Sequence, residues 1–322
     1  MITLGIESTA HTFGVGICDD VSILANVIDT YRGEGIHPRL AADHHAGVAG
    51  ATVASALAAA GIDIGDVDLV SFSQGPGMGP CLRVGATVAR ALSVKNGVPV
   101  LGVNHCIAHI EVGRFLLGIR DPVTLYVSGG NTQILAYAGG RYRVFGETLD
   151  IGIGNMQDTF ARSMGLSFPC GRQIDELMAA GSVYLDIPYT IKGMDFSFTG
   201  MLTEAVKLSQ DHPLPDVTFS LMETAFSIVV EATERAMSHT QKDELLLAGG
   251  NAAAPRLREM CRLMCGERGA EVFIPPFDVC RDNGAMIAVL GMVEHRAGRC
   301  MALPETVVNQ KWRTDEVDVI WK

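Results

Sequence analysis

Two histidines four residues apart, His105 and His109, stand in the octapeptide N-H-C-I-A-H-I-E, which spans residues 104 to 111. On a helix, residues at positions i and i+4 lie above one another on the same face. Two imidazoles arranged in this way can bind one divalent metal ion, as the histidines of H-E-x-x-H metallopeptidases do. Here Cys106 follows the first histidine, where those peptidases carry their general base. The spacing therefore indicates either a metal site that lacks that base or a half-buried structural pair of histidines.

The composition indicates a folded protein of two domains. A chain of 322 residues is long for a single hydrophobic core, and domains of about 150 residues are usual. Apolar residues make up 48% of the chain and charged residues 19%, which excludes a disordered protein. The segment M-I-T-L-G-I-E-S-T-A runs directly into a strand pattern without a basic region or a cleavage signature, so we expect a cytoplasmic protein.

The charge and the cysteines narrow the expected partners and environment. The formal net charge is −11, whereas a protein that binds nucleic acid unaided usually has a basic surface. If RNA is a substrate, we expect basic partner subunits to contribute much of its binding. The eight cysteines include no C-x-x-C pair, which favours reduced thiols over disulfides or a zinc site.

The first part of the chain predicts alternating strands and helices. Apolar runs bounded by turn residues predict strands at 2–5, 14–18, 23–27, 67–73 and 98–103. Helical spacing is found at 39–60, ending at Gly61, and at 81–96, ending at Gly97. The strand at 98–103 leads directly into the predicted histidine helix.

The pattern of strand, polar turn and two further strands recurs after roughly 120 residues. The second set comprises strands at 124–127, 133–138 and 141–147, followed later by a strand at 244–248 and a helix from about Pro255. A long helical pattern at 283–297 is expected to return to the first half. We therefore predict a first domain at 1–122, completed by a segment from about 285 to 322, and a second domain at 123–284.

Three glycine-containing turns follow predicted strands: G-I-E-S-T, S-G-G-N-T and A-G-G-N. Turns of this kind present backbone N–H groups to phosphate oxygens. In a duplicated α/β chain they resemble the phosphate-binding turns of the actin, Hsp70 and sugar-kinase superfamily. That resemblance implies two ribonuclease-H-like domains with an interdomain nucleotide cleft.

Longer motifs resemble one branch of that superfamily. They are N-H-C-I-A-H, S-Q-G-P-G-M-G-P-C-L-R-V-G, Y-V-S-G-G-N-T-Q, E-T-L-D-I-G-I-G-N and C-R-D-N-G-A-M-I-A. Together they are similar to the TsaD family of tRNA threonylcarbamoyladenosine synthase catalytic subunits, formerly labelled O-sialoglycoprotein endopeptidases. The similarity is to the archaeal and eukaryotic form, the catalytic subunit of the KEOPS complex, and extends from about Ile2 to Trp321.

The resemblance implies a transferase. Family members pass the threonylcarbamoyl group of threonylcarbamoyl-AMP to an adenosine beside the tRNA anticodon, and AMP leaves. The implied cofactor is one divalent metal, Fe²⁺ in preference to Zn²⁺. Its implied ligands are His105, His109, Asp282 and, in the archaeal form, Tyr126. The implied partners are a kinase-like ATPase, a small dimerising subunit and a tRNA-binding subunit.

The resemblance also implies a set of contacts to the nucleotide and substrate. They are Tyr126, Val127, Ser128, Gly129, Gly130, Asp158, Gly171 and Asp175. Two positions depart from the family pattern, because Asp175 stands where relatives more often carry Glu, and Ala254 stands where they carry a nucleotide-contacting Asn.

The residues themselves are compatible with this chemistry. Two imidazoles and one or two oxygen ligands suit Fe²⁺ or Zn²⁺ and leave positions open for substrate. The adenosine amine is a poor nucleophile, so the activation resides in the acyl-adenylate, and positioning and charge stabilisation supply the rest. No residue is assigned as a general base. Glu7, where sugar kinases and chaperones carry Asp, either organises water or metal at the site or caps its turn.

Three other functions remain open from the residues. A metallopeptidase is disfavoured by the missing glutamate beside the first histidine. A sugar or acetate kinase is disfavoured because Glu7 and Ser128 replace aspartates that handle magnesium-ATP. A nucleotide-gated scaffold ATPase is disfavoured by the presence of both histidines and Asp282.

Three further segments have both a structural and a functional interpretation. His44 and His45 are either core residues or substrate contacts. The loop at 75–79 precedes a helix N-terminus, so its glycines serve either anion binding or turn geometry. The stretch K-G-M-D-F-S-F-T-G at 192–200 is expected to be an exposed loop that faces tRNA.

Overall fold

The computed structural model describes residues 1–33, 37–167 and 170–322. Strands β1 to β12 are Thr3–Glu7, Thr12–Cys18, Ile23–Thr30, Leu69–Gly75, Val100–Asn104, Val123–Val127, Thr132–Ala138, Arg141–Glu147, Thr190–Lys192, Asp195–Ser197, Glu244–Ala248 and Glu271–Phe273. Helices α1 to α10 are Pro38–Ala60, Gly79–Asn96, His105–Leu117, Ile153–Ser163, Gly171–Ala180, Thr199–Leu208, Leu214–Thr240, Pro255–Arg268, Phe277–Cys280 and Gly284–Arg296. Short 3₁₀ turns lie at Ile64–Asp66, Gly250–Ala253, Leu303–Glu305 and Thr314–Glu316.

The chain forms two compact units. The first comprises Met1–Gly118, Ala138–Tyr142 and Arg281–Lys322, and the second comprises Ile119–Tyr137 and Arg143–Cys280. The return segment of the first unit thus begins at Arg281, so that Asp282 belongs to the same unit as both histidines.

The first unit is built on a five-stranded sheet in the order β3-β2-β1-β4-β5. Strand β1 pairs antiparallel with β2 and parallel with β4, and β4 pairs parallel with β5. Leu4 and Ile6 of β1 belong to a core that also contains buried residues of α1 and α2. Because side chains alternate along a strand, Gly5 and Glu7 point to the opposite face of the sheet.

Helix α10 covers that opposite face, with its backbone packed directly on the strands. A Cβ atom added at Gly5 would collide with the backbone of Ala288, and one at Gly16 would collide with the backbone of Ala285. Glycine is needed at both positions because no side chain fits between the helix and the sheet. The helix at 283–297, which was predicted to return to the first half of the chain, packs on β1 and β2.

Left-handed glycines end three helices of the first unit. Gly61, Gly97 and Gly118 follow α1, α2 and α3 with φ angles of 68°, 68° and 67°. Glycine adopts this conformation without a steric penalty and allows the chain to leave the helix. The predicted helix ends at Gly61 and Gly97 are therefore confirmed.

The second unit repeats the same architecture. Its five strands follow the order β12-β11-β6-β7-β8, with β6 antiparallel to β7 and parallel to β11. Reversed, this order matches that of the first sheet strand for strand, which confirms the predicted duplicated α/β fold. The core of this unit is filled largely by α7, whose buried residues include Val217, Leu221 and Phe226.

The prediction of an exposed aromatic loop at 192–200 is wrong. Strands β9 and β10 form an antiparallel hairpin there, and Phe196 and Phe198 are 0% exposed. Residues two apart share one face of an extended chain, and this face packs into the core of the second unit. These aromatic side chains are therefore structural and are not available to stack on RNA.

The structure is consistent with the expectation that the cysteines are reduced. Within the described chain none of the eight cysteines forms a disulfide, and only Cys300 among them is exposed. Among the described helices, none is both long enough and apolar enough to cross a bilayer.

Helices α3 and α10 each bury one carboxylate, Glu111 and Glu294. Glu111 accepts hydrogen bonds from the Tyr142 hydroxyl at 2.5 Å and from Arg114 Nη1 at 2.7 Å. Glu294 is 0% exposed and is paired with Arg299, while its Oε1 atom has no hydrogen-bond partner. Burial raises the pKa of Glu294 to about 7, although Arg299 partly opposes the shift.

We predict that Gly16→Ala lowers the free energy of unfolding by about 1–3 kcal/mol or more, because α10 must move away from the sheet. Chemical denaturation monitored by circular dichroism measures the change. Gly50→Ala is the control, since nothing lies within 4 Å of its Cβ position in α1 and an alanine in a helix should stabilise by roughly 0.5–1 kcal/mol. Equal effects of the two substitutions would contradict the close approach.

We predict that Glu294 makes stability fall as pH rises from its ordinary pKa of 4.5 to about 7. Over this range the folded protein keeps a proton that the unfolded chain has released, so one such group contributes a slope of up to about 1.4 kcal/mol per pH unit. The Glu294→Gln substitution should remove that slope. The control substitution Glu271→Gln, at an exposed position, should leave the slope unchanged. Parallel curves for wild type and Glu294→Gln between pH 5 and 8 would contradict the prediction.

Candidate metal and substrate site

The histidine helix begins at a side-chain cap. Asn104, the last residue of β5, accepts hydrogen bonds at its Oδ1 from the backbone N–H groups of Cys106 and Ile107, at 3.0 and 3.2 Å. An asparagine at this position satisfies donors that the first helical turn leaves unpaired. Helix α3 therefore starts at His105, and His105 and His109 lie on one face with ring centroids 4.9 Å apart.

A second capped helix brings Asp282 to the histidines. Asn283 caps α10 by accepting from the N–H of Met286 at 3.0 Å. Asp282, one residue earlier, places its Oδ1 atom 3.3 Å from His109 Nε2 and 3.5 Å from His105 Nε2. One ligand atom from each of the three side chains lies within 4.8 Å of the other two. The structure thus brings together, within one unit, three of the four predicted metal ligands.

Glu7 holds the other nitrogen of His105. Its carboxylate is 0% exposed, and Oε2 lies 2.9 Å from His105 Nδ1. The backbone N–H and the hydroxyl of Thr9 both donate to Oε1, at 2.6 and 2.5 Å. A carboxylate at Nδ1 fixes the ring so that Nδ1 carries a proton and Nε2 faces Asp282. Glu7 therefore orients His105, and its other oxygen is occupied by the turn.

The electrostatics of the two histidines differ. Burial alone would lower the pKa of His105, but the charges of Glu7 and Asp282 outweigh it and raise this pKa to about 9. Burial lowers the pKa of His109, despite its hydrogen bond to Asp282. Burial would raise the pKa of Asp282, yet the imidazoles of His105 and His109 shift it well below its ordinary range. The cluster therefore combines carboxylates with imidazoles that stabilise their charge.

The donor set fits a divalent metal. Ligand atoms about 2.1 Å from a tetrahedral ion lie about 3.4 Å apart, close to the separations of the Asp282 oxygen from the two Nε2 atoms. Two imidazole nitrogens and one carboxylate oxygen are ligands that both iron and zinc accept. His105, His109 and Asp282 could therefore hold one ion and leave further coordination positions open.

Five of the predicted substrate contacts lie in the second unit, at the end of β6 and in the turn after it. Tyr126 and Val127 are buried residues of the strand, whereas Gly129 and Gly130 are exposed in the turn. Ser128 shapes this turn, because its N–H donates to the carbonyl of Asn131 at 2.8 Å and its hydroxyl accepts from the N–H of Asn131 at 3.0 Å. No atom lies within 4 Å of a Cβ built on Gly130, so the backbone there is open to a ligand.

Helix α4 begins directly against this turn. The N–H of Asn155 donates to the carbonyl of Gly129 at 2.9 Å, and a Cβ on Gly152 or Gly154 would collide with the turn. The motif I-G-I-G-N is thus explained by the close approach of turn and helix. The N–H of Gly154 likewise donates to the carbonyl of Ser128 at 3.3 Å, so the turn and the start of α4 are joined backbone to backbone.

The three remaining predicted contacts lie on α4 and α5. Asp158 accepts a hydrogen bond from the Cys170 thiol at 2.9 Å, which places it beside Gly171, the first residue of α5. Asp175 follows Gly171 by four residues and so lies on the same face of that helix. Burial raises the pKa of Asp175, so this carboxyl group is partly withdrawn from water.

No free amide side chain nearby replaces the asparagine that relatives carry at the position of Ala254, as far as the described residues show. Ala254 is buried, and the amide nitrogen of Asn251 donates to Gln157 Oε1 at 3.0 Å. A ligand that used Asn251 would have to share that nitrogen with Gln157.

His45 and the loop at 75–79, which had both a structural and a functional interpretation, have structural roles. His45 is 0% exposed, and its Nε2 lies 3.0 Å from the carbonyl oxygen of Ala10, in the turn after β1. In the loop at 75–79, the N–H of Gly77 donates to the carbonyl of Gln310 at 3.2 Å, and the N–H of Met78 donates to that of Thr9 at 2.8 Å. Packing against the C-terminal segment and the first turn explains this loop better than anion binding.

Sequence reasoning missed three residues that position the site: Thr9, Asn104 and Asn283. Two of them had a readable signal, because an asparagine directly before a helical pattern is a preferred cap. The Thr9 hydroxyl lies 3.3 Å from His105 Nδ1, and this contact depends on the tertiary fold, so no local pattern marks it.

The protein has a duplicated α/β fold of the actin and sugar-kinase type, and its first unit contains a His-His-Asp cluster in which both histidines are buried. A solved structure of similar fold is HypF from T. kodakarensis, with a TM-score of 0.67 over 95% of this chain and 49% of that chain, at 10% sequence identity. At such low identity the likeness shows the fold alone.

The family model "TsaD: tRNA N6-adenosine threonylcarbamoyltransferase" matches residues 22–289. The chain belongs to this family. The tRNA N6-adenosine threonylcarbamoyltransferase of Thermococcus kodakarensis is 56% identical over the full length of both chains. A probable bifunctional tRNA threonylcarbamoyladenosine biosynthesis protein of Methanothermobacter thermautotrophicus is 51% identical, and the match covers all of this chain and 61% of that protein.

We predict that Glu7→Gln lowers the pKa of His105 from about 9, because the substitution removes a negative charge but keeps an oxygen acceptor. NMR titration of the His105 ring in chelator-treated protein measures this pKa. Asp29→Asn is the matched control, since Asp29 pairs with His44 at 3.0 Å and should not influence His105. An unchanged pKa of His105 in Glu7→Gln would contradict the role given to Glu7.

Proposed function

We propose that this protein transfers a threonylcarbamoyl group from threonylcarbamoyl-AMP to the N6 amine of an adenosine beside the tRNA anticodon. Membership of the threonylcarbamoyltransferase family supports the reaction. The structural observation that carries the proposal is the convergence of His105 Nε2, His109 Nε2 and a carboxylate oxygen of Asp282. No peptidase base stands beside the histidines, because Cys106, which is 2% exposed, occupies the position after the first of them.

The reaction exchanges one bond for another. The adenosine nitrogen forms a bond to the carbamoyl carbon, the bond from that carbon to the AMP phosphate oxygen breaks, and the amine loses a proton to solvent. AMP is a good leaving group, so the protein has only to align the two substrates and stabilise the charge that develops. No oxidant or further cofactor takes part.

The metal in this proposal is Fe²⁺, with Zn²⁺ as the alternative. His105, His109 and Asp282 would hold it, and Tyr126 is the proposed fourth ligand. When bound, such an ion polarises an acyl oxygen and orients a substrate carboxylate or hydroxyl. Glu7 keeps His105 Nε2 directed at the ion by holding Nδ1, and is a positioning residue rather than a general base.

The nucleotide part of the donor is proposed to bind to the second unit. The open backbone at Gly129 and Gly130 suits its phosphate or the threonyl carboxylate. Asp158, which has one oxygen engaged by Cys170, and Asp175 on the next helix are proposed to accept hydrogen bonds from the ribose.

The proposed assembly is KEOPS-like, with a kinase-like ATPase, a small dimerising subunit and a tRNA-binding subunit. The name of the bifunctional relative agrees with a second activity that works beside this one. A net charge of −11 is unfavourable for tight binding of a polyanion, which supports a division of labour in which partner subunits supply much of the affinity for tRNA.

We predict that His109→Ala and Asp282→Asn abolish metal binding and threonylcarbamoyl transfer. Loss of a ligand should reduce metal affinity by more than the roughly 100-fold that follows loss of a ligand's hydrogen-bond partner. Elemental analysis of anaerobically purified protein and a transfer assay with the partner subunits measure both effects. The exposed His212→Ala is the control.

The folded state of each variant is checked by its circular dichroism spectrum and unfolding midpoint. Full transfer activity in a folded, metal-free His109→Ala protein would refute the role of the metal. Metal bound at wild-type stoichiometry in both variants would refute the ligand assignment.

We predict that the isolated chain binds tRNA weakly at physiological salt and more tightly as the salt concentration falls, because the acidic chain offers few basic groups to the phosphates. Fluorescence anisotropy with labelled tRNA measures the affinity, and adding the partner subunits should increase it. Tight, salt-insensitive binding by the chain alone would contradict this division of labour.

A further inference from the structure

Two buried amide side chains attach the segment at 305–312 to the sheet of the first unit. Gln74 of β4 donates from its Nε2 to the backbone carbonyl oxygens of two residues of the segment, at 3.0 and 2.7 Å. Asn104 of β5 donates from its Nδ2 to the carbonyl oxygen of Trp312 at 3.2 Å. Gln74 is 8% exposed and Asn104 is 0% exposed. Both amides therefore give their donors to the backbone of the segment instead of to water.

Between these two side chains the segment lies directly on the backbone of the sheet. The N–H of Asn309 donates to the carbonyl of Gln74 at 2.8 Å. A Cβ atom at Gly75 would lie 1.8 Å from the carbonyl oxygen of Asn309, so no side chain fits at that position. Gly75 is the partner of Asn104 in the register of β4 and β5. The segment is therefore held beside the residue at which β5 ends and the histidine helix begins.

The two ends of the Asn104 side chain bond different parts of the chain. Its Oδ1 accepts from the N–H groups of Cys106 and Ile107 in the cap of α3, while its Nδ2 donates to Trp312. An amide group has an acceptor on one side and donors on the other. A carbonyl on the donor side consequently keeps the oxygen directed at the helix. The segment thus sets the orientation in which Asn104 caps α3.

The position of one predicted metal ligand follows from that cap. His105 comes directly after Asn104 and is the first residue of α3, so its backbone moves with the start of the helix. Its Nε2 faces an oxygen of Asp282 at 3.5 Å. A metal site requires ligand distances within about 0.2 Å of their usual values. A small displacement of the helix start would therefore weaken binding without removing a ligand.

We infer that the segment at 305–312 is a positioning element of the metal site, and that it acts through Asn104 and Gln74. The inference rests on the proposed function and adds to it a dependence of metal affinity on the C-terminal part of the chain. Coupling between two sites is reciprocal, so metal binding also stabilises the attachment of the segment.

The test compares Asn104→Ser, Asn104→Ala and Gln74→Met with wild type on the isolated full chain. Serine keeps the helix cap and loses the amide donor, whereas alanine loses both. Methionine keeps the length of the Gln74 side chain, loses its donors and leaves the cap of α3 in place. The matched controls are Asn96→Ser and Gln241→Met, because the amides of Asn96 and Gln241 donate to carbonyl oxygens of α2 and α7.

The probe is Zn²⁺ alone, which the same donor set accepts. Its affinity is measured on metal-free protein by competition with a chromophoric chelator. Amide hydrogen exchange is measured by mass spectrometry with and without Zn²⁺, on peptides from α3, from the segment and, as a reference, from α7. Circular dichroism and the unfolding midpoint show that each variant is folded.

Asn104→Ser and Gln74→Met should each weaken Zn²⁺ binding roughly three- to tenfold, the range that corresponds to one neutral hydrogen bond. Both should speed exchange in α3 of the metal-free protein. Asn104→Ala should weaken binding further, because the cap is lost as well. In wild type, Zn²⁺ should slow exchange in the segment and leave that of α7 unchanged. The two controls should bind Zn²⁺ as wild type does.

Unchanged Zn²⁺ affinity and unchanged α3 exchange in Asn104→Ser and Gln74→Met would overturn the inference, as would an equal weakening in the controls. Weakening confined to Asn104→Ala would also overturn it, because the cap alone would then support the histidine helix.

A different result would refute the proposed function. Absence of Zn²⁺ binding by wild type, or absence of transfer in the separate assay with the partner subunits, would count against the proposed metal or reaction. Exchange in α3 of metal-free Gln74→Met would still decide the role of the segment, since faster exchange supports it and unchanged exchange overturns it.

Discussion

The packing of α10 directly on the backbone of β1 and β2 is the constraint on which the first unit depends. Gly5, Gly14 and Gly16 leave no side chain between sheet and helix, and Gly284 and Ala285 present an equally small surface from the helix side. Because this packing is so close, the N-terminus of α10 can move little relative to the sheet. Asp282 precedes that helix by only two residues, so its position relative to α3 follows from the same packing.

The buried charges of the cluster are stable because they stabilise one another. A carboxylate or an imidazolium removed from water is costly unless it is paired and hydrogen-bonded. Here Glu7 accepts from Thr9 and His105, and Asp282 lies against both imidazoles. The arrangement also separates the roles of the two carboxylates, since Glu7 holds the Nδ1 side of His105 and Asp282 faces its Nε2 side.

Much of the fold could be predicted from the sequence, because its signals are local. Helix ends at Gly61 and Gly97 follow from the conformational freedom of glycine, and the repeat of strand, turn and two strands was visible in the apolar pattern. The hairpin that contains Phe196 was misinterpreted, because strands of three residues are too short for alternation to show clearly. The close approach at Gly16 was also not predicted, since a glycine in a strand pattern does not reveal what lies above it.

For the site, spacing alone related His105 to His109, but nothing local related either of them to Asp282, which is 173 residues from His109. That ligand was expected only through resemblance to a family. The pairing of Glu7 with His105 was not predicted, because it joins residues 98 apart through the geometry of the sheet. Interactions between distant segments determine the chemistry here, and a single sequence contains no direct record of them.

The first unit is formed by segments that are far apart in the sequence, and this has a consequence for its synthesis. Its first 118 residues contain a sheet whose strands β1 and β2 are packed against α10, in the segment that begins at Arg281. Ribosomes add about 5–20 residues per second, so these strands wait many seconds on the nascent chain before α10 has emerged. The three donor atoms therefore meet only after Asp282 has been synthesised, so an ion that needs all three cannot be bound earlier.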